Sequence, residues 1–229
     1  MATLIKILDN AKFLSKAVFS DSTPSEGSSL TNGLQAFYKL DDTSDSSGNN
    51  RTLTNNGNVS FASGKIGNAA VFDGQSYLTN SVDITNYSAM TIAMWIKATN
   101  SGEIFFGIPS QNGGNIYVSN HMGNISCAFR DNGDVTDSFN LADGEWHHVV
   151  SSLDNNNSVR LYADGNLLQL AENTNAVLSD SGSVGYIGAW EGLYGASTGS
   201  IDAVGIWNRA LSDAEVAELY NSGTGLELN

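Results

Sequence analysis

The 229 residues include 24 glycines, only 2 prolines and 41% hydrophobic side chains, which suits many short strands joined by polar turns and excludes wholesale disorder. A formal net charge of −14 denies the chain the basic face that nucleic acid needs, and it argues equally against an anionic membrane surface. The single cysteine, Cys127, excludes an intrachain disulfide, and beside Ile125, Ala128 and Phe129 it reads as a small buried side chain.

Residues 1–20 hold Lys6, Lys12 and Lys16 against Asp9, so a basic arm precedes an acidic body. Leu4, Ile7, Leu8, Ala11, Leu14 and Val18 recur at helical spacing and predict a short amphipathic helix whose stripe needs a partner. Asp9, Asn10, Lys12 and Lys16 interrupt what would be the apolar stretch of a secretory signal, and no run reaches transmembrane length. Residues 21–33, DSTPSEGSSLTNG, have tether composition. Two readings stand for this region, an attachment arm or a disordered terminus.

A first strand is expected from Leu34 to Leu40, followed by the acidic loop Asp41 to Asn50. Asp41, Asp42, Asp45 and Asn50 offer the hard oxygen ligands that Ca²⁺ prefers, with Gly48 free to turn carbonyls inward. The spacing is not that of an EF-hand, and the alternative is a loop of Asx turns whose carboxylates cap backbone N–H groups. Beyond the turn at residues 57–68, the segment AAVFDGQSYLTN reads as strand with Asp73-Gly74 as a hairpin turn. In MTIAMWIKA, Trp95 alternates with Met94 and Ile96 and is expected in the core.

The middle of the chain divides into EIFFGI, NIYVSN, NISCAFR and DVTDSFN at Asn-Gly and Gly-Gly turns. His121 and Arg130 fall near strand ends here, as surface residues or as reach toward a ligand. In GEWHHVVSSLD, His147 and His148 point to opposite faces of a strand and cannot chelate one ion together. SVRLYADGNLL makes a hairpin through Asp164-Gly165. The loop Gly185 to Gly199 sets Trp190, Glu191 and Tyr194 among glycines. Such aromatics suit stacking on sugar rings or anchoring a protein partner, while the competing reading has Trp190 plugging the core.

Ser200 to Gly223 reads as strand, turn and capped helix. Ile201 to Trp207 is β-branched and aromatic, Ser212 fits an N-cap with Glu215 completing a capping box, Leu211 and Val216 form a staple, and Gly223 is placed to stop the helix. Together with GLQAFYKLDDTSDSSGNN, AVFDGQSYL, MTIAMWIKA and GEWHHVVSSLDNNNSVRLYADGNL, this block resembles, in order, laminin-G-like domains of the concanavalin A-like lectin/glucanase superfamily. The resemblance runs from about Thr31 to Gly225.

The resemblance implies an all-β fold, a two-sheet antiparallel jelly-roll sandwich with a short C-terminal helix over residues 31–229, preceded by the arm and tether of residues 1–30. It implies packing between the sheets for Trp95. It also makes Asp202 the distal ligand of a structural Ca²⁺ site with Asp41, Asp45 and Asn50. The sequence has no E-x-D-x-E strand, no G-x-S-x-G elbow and no H-E-x-x-H, so a non-enzymatic module is expected and a divergent glycoside hydrolase is the lesser alternative. Its candidate ligand contacts are Trp190, Glu191, Tyr194, His121 and Arg130, facing a glycan or host-surface ligand. The expected setting is a bacteriophage virion surface, as a capsid decoration or tail adhesion protein, homo-oligomeric and held to a capsid or tail protein by residues 1–30. The alternative is a secreted or cell-surface bacterial glycan-binding protein.

Overall fold

The structure, a computed structural model, describes residues 30–109, 115–129, 133–176, 178 and 183–228; all but Leu30 of the arm and tether expected over residues 1–30, and the candidate Arg130, lie outside the described residues. Strands β1 (Leu34–Tyr38), β2 (Thr54–Asn56), β3 (Ser60–Ser63), β4 (Asn68–Val71) and β5 (Tyr77–Val82) precede the long β6 (Met90–Lys97). The middle of the chain forms β7 (Glu103–Ile108), β8 (Ile116–His121), β9 (Asn124–Phe129) and β10 (Val135–Asp137). β11 (His147–Leu153), β12 (Val159–Ala163), β13 (Asn166–Ala171), β14 (Ser183–Ile187) and β15 (Ser200–Trp207) follow, and the helix α1 (Asp213–Tyr220) comes last.

Two antiparallel sheets result. One runs β13-β12-β11-β6-β15-β4-β3 with β1 also paired to β15, and the other runs β10-β9-β8-β7-β14-β5-β2. Period-two alternation decides what lies between them: Ile92, Met94 and Ile96 of β6 meet Phe105, Ile116, Val118 and Phe129 of the opposite sheet, all buried. Each such side chain contributes about 1.5–3 kcal/mol on burial, so this seam is the main source of cohesion.

The outer face of the first sheet is covered as well. Phe37, Val150, Tyr162 and Trp207 pack there against Leu211, Val216 and Leu219 around α1. The helix starts as expected, with a complete capping box between Ser212 and Glu215. Arg209 adds a two-pronged ion pair to Glu215, at 2.9 and 2.6 Å. Its end comes earlier than Gly223: Asn221 takes the left-handed conformation (φ 48°, ψ 52°) and closes the helix after Tyr220.

Trp95 is buried but does not pack between the sheets, which corrects that expectation. Because Met94 and Ile96 face inward, Trp95 must face outward, where Tyr220 stacks on it with ring centroids 5.8 Å apart. His148 lies 5.1 Å away, and Lys65 Nζ sits 4.6 Å from the indole centroid. Asp73-Gly74 is likewise not a hairpin. β4 pairs with β3 and β15 in the first sheet, whereas β5 pairs with β2 and β14 in the second, so this turn carries the chain across the sandwich. Asp73 Oδ1 holds the corner by accepting from Gln75 N at 2.9 Å. Asp164-Gly165, in contrast, is the expected tight hairpin, with φ of 50° and 74°.

Candidate functional site

The second sheet turns its outer face to a cavity of about 320 Å³. Ile116 and Val118 of β8 face the core, so Tyr117, Ser119 and His121 face outward and line this cavity. Trp190 and Tyr194 close it from the loop after β14. That loop is tight: Trp190 N donates to Tyr194 O at 2.9 Å around a 3-10 turn at Glu191–Leu193.

Trp190 is half-buried, and the reason is one residue on β7. A Cβ at Gly107 would sit 2.4 Å from Trp190 Cε3, so the absence of a side chain lets the indole lie down on the sheet. Tyr117 meets it edge-on, 6.2 Å away at 86°. The Tyr117 hydroxyl donates to Asp134, and burial, reinforced by that carboxylate, pushes the phenol well above its ordinary range. Trp190 is therefore neither a core plug nor a free side chain. Tyr194 stands 74% exposed at the rim.

The structure thus gathers Trp190, Tyr194 and His121 of the expected contacts around one cavity. Glu191 is exposed on the adjoining turn and does not line it. Tyr117, Ser119, Asp134 and Glu103 were not anticipated. The polar alternation of Tyr117, Ser119 and His121 in NIYVSNH was the available signal. Glu103 is buried, with Oε1 accepting from Thr198 N at 3.0 Å and Thr198 Oγ1 at 2.6 Å.

The four expected calcium ligands do not converge. Asp45 spends itself on the loop, its Oδ1 accepting from Phe37 N (3.1 Å) and Ser47 N (2.9 Å) and its Oδ2 from Arg51 N (2.9 Å). Burial alone would raise this carboxyl, but those amides outweigh it and hold it below the usual range. Asp42 closes an Asx turn on Ser44 N at 2.7 Å, and Asn50 is exposed in the left-handed conformation at φ 57°.

Asp41 and Asp202, however, line one small hollow of about 20 Å³. A bulge in β15, where the register shifts between Asp202 and Gly205 and Ala203 takes φ 48°, sets Asp202 beneath the turn after β3. Gly64 permits the approach, since a Cβ there would stand 2.6 Å from Asp202 Oδ2. That oxygen accepts from Lys65 N (2.8 Å) and Ile66 N (2.9 Å), while Oδ1 has no partner among the described residues. Burial raises the Asp202 carboxyl to about 6 despite those amides, and Asp41 adds to the rise. The two carboxylates fit two of the six to eight oxygens a Ca²⁺ takes. Among the described residues no group of three or more His, Cys, Asp or Glu that could hold a metal is found.

Comparison with known proteins agrees with this architecture. Domain 4 of AbnA, a GH43 extracellular arabinanase from Geobacillus stearothermophilus solved with arabinotriose, superposes with a TM-score of 0.69 at 25% identity, covering 81% of this chain and 97% of that one. The binding domain of Paraclostridial Mosquitocidal Protein 1 gives a TM-score of 0.70 at 17% identity over 85% of this chain and 53% of that one. The binding domain of Botulinum Neurotoxin DC in complex with SialylT gives 0.65 at 14% over 84% and 52%. The chain spans about half the length of these toxin domains, and at such identities they share its fold alone. No curated protein matches the sequence. The family model described as concanavalin A-like lectin/glucanases superfamily, of laminin G type, matches residues 72–217, well over half of the chain. The chain has a lectin-like fold, and it belongs to the concanavalin A-like lectin/glucanase superfamily.

Proposed function

We propose that this domain is a non-catalytic glycan-binding module whose site is the cavity between Trp190, Tyr194 and β8. The observation that carries the reading is Trp190, laid on Gly107 and braced by Tyr117, a flat apolar surface ready to stack on a sugar ring beside the exposed Tyr194. Ser119 and His121 supply polar groups along one wall. The arabinotriose complex of the similar AbnA domain supports a sugar as ligand. Both carboxylates of the cavity are tied to neighbours, Glu103 to Thr198 and Asp134 to Tyr117, which favours binding over hydrolysis.

The test is an oligosaccharide array with the full chain, followed by Trp190→Ala and Tyr194→Ala. Each change should abolish binding, and Tyr194→Ala should shift stability by no more than about 0.5 kcal/mol because its side chain is exposed. Unchanged binding in both variants, or release of reducing ends from a bound oligosaccharide, would overturn the reading.

The setting that this reading favours is a surface one, a bacteriophage capsid decoration or tail adhesion protein, with a secreted or cell-surface bacterial protein as the second choice. The support is the charge contrast between the lysines of residues 1–20 and the acidic body, which suits docking of the arm to a particle or to identical arms. Loss of particle binding on deletion of residues 1–29 is the expected result, and full occupancy by the truncated chain would refute it. A structural Ca²⁺, held by Asp41 and Asp202, would supply the positive charge that this buried carboxylate lacks.

A further inference from the structure

The described lining of the cavity carries two carboxylates, Glu103 and Asp134, and no lysine or arginine. Glu103 is 3% exposed, forms no ion pair among the described residues, and leaves Oε2 without a donor. Directly across the β7–β8 register, the buried Asn120 leaves its Oδ1 equally without a donor. Asp134, exposed and fixing Tyr117 through its carboxylate, adds a second charge to the lining. None of the described lining residues is a lysine or arginine, and His121 is the one that can become positive. A buried charge is poorly screened, so its field reaches the space a ligand would occupy.

Resting on the glycan reading, we infer that the cavity selects neutral oligosaccharides and rejects anionic ones, with Glu103 and Asp134 as the specificity-determining residues. A neutral sugar brings hydroxyl donors to a wall rich in acceptors. A sialic acid carboxylate, uronate or sulfate brings a like charge into a site with no cation among its described residues to receive it. The same charges that welcome the one repel the other.

The experiment titrates the full chain with pairs that differ only in charge, such as lactose with 3′-sialyllactose and neutral with sulfated N-acetyllactosamine, within a panel of pentose and hexose oligosaccharides. Neutral members should bind about tenfold more tightly or better than their anionic partners, a ratio that shrinks with added salt. Glu103→Gln keeps the Oε1 that Thr198 uses, and Asp134→Asn keeps an acceptor for Tyr117, so the double variant removes charge while preserving shape. It should bring the two members of each pair to within roughly threefold of each other. Anionic members binding as tightly as neutral ones, or an unchanged ratio in the double variant, would overturn the inference while loss of binding in Trp190→Ala left the glycan reading intact. If no oligosaccharide of either kind binds, the reading itself falls and takes the inference with it.

Discussion

Asp202→Asn separates the cost of a buried carboxylate from any benefit of a bound ion. Asp202 is 0% exposed, and its carboxyl is raised from 3.8 to about 6, chiefly by burial. An acid whose folded pKa lies above its unfolded one keeps its proton longer in the native state, so stability falls as pH rises from about 4 to 6 and stays low above. Two pKa units at about 1.4 kcal/mol each place the penalty at neutral pH near 3 kcal/mol, an order-of-magnitude figure. Asparagine keeps an oxygen for Lys65 N and Ile66 N and replaces the unpartnered Oδ1 with a neutral nitrogen. In EDTA at pH 7 the variant should be more stable by about 1–3 kcal/mol, which for a chain of this size is roughly 2–4 °C in Tm per kcal/mol. At pH 4 the difference should vanish. With millimolar Ca²⁺ the wild type should gain Tm and the variant should not. Paired urea and thermal melts across pH measure all of this, and a variant less stable than wild type at pH 7 in EDTA would refute the reasoning.

His148 acts with the opposite sign and is checked in the same melts. Burial between Trp95 and Tyr220 lowers its imidazole from 6.5 to about 4, so stability present above pH 6.5 is lost as pH falls toward 4, by about 3 kcal/mol. His148→Phe should flatten that limb, and an acid slope equal to the wild type's would exclude the mechanism. Gly107→Val would drive a side chain into the Trp190 ring, so sugar binding should fall about tenfold or more while the fold persists, as read by calorimetry beside circular dichroism. Deleting residues 1–29 should leave Tm unchanged, whereas deleting 1–32 removes the Leu30 carbonyl that accepts from the buried Trp207 Nε1 at 2.6 Å and should cost about 1–3 kcal/mol. Equal Tm values for the two truncations would show that water satisfies the indole.

Where a local rule names its own partner, the sequence was enough. Ser212 and Glu215 form a capping box because both ends of the interaction lie within one turn, and Asp164-Gly165 forms a hairpin because the turn alone fixes it. Apart from the helix stop, which falls at Asn221 and not Gly223, what failed depends on a partner far along the chain. Asp73-Gly74 looks the same in a hairpin as in a corner between sheets, and only the pairing of β5 with β2 and β14 decides. Thr54–Asn56 carries little strand propensity of its own and is a strand because β5 offers it an edge. In the acidic loop, Asp42 and Asp45 find amides nearby in the chain, whereas Asp41 accepts from Asn68 N and borders one hollow with Asp202, more than a hundred residues away. Trp190 stands out in the sequence for its setting among glycines, but the glycine it lies against, Gly107, stands on another strand.

The two sheets end up chemically unequal, and that inequality directs the functional reading. In the first sheet, outward positions are apolar or aromatic (Phe37, Val150, Trp95, Trp207), and the helix and its flanking segments cover them. In the second, outward positions such as Tyr117, Ser119 and His121 are amphipathic or polar, and they border an open cavity instead of a helix. A stability requirement accounts for the first face, since uncovered apolar side chains of that size would forfeit several kcal/mol. It does not account for the second. Tyr117 tethered to Asp134, Trp190 seated on Gly107 and Tyr194 left in solvent hold aromatic surface in a fixed, wettable arrangement whose own burial is incomplete. Aromatic rings fixed in place before binding lose little further freedom when a ligand stacks on them, which is the condition under which a shallow site reaches useful affinity. The face that the fold has no need to cover is therefore the one where a sugar is expected.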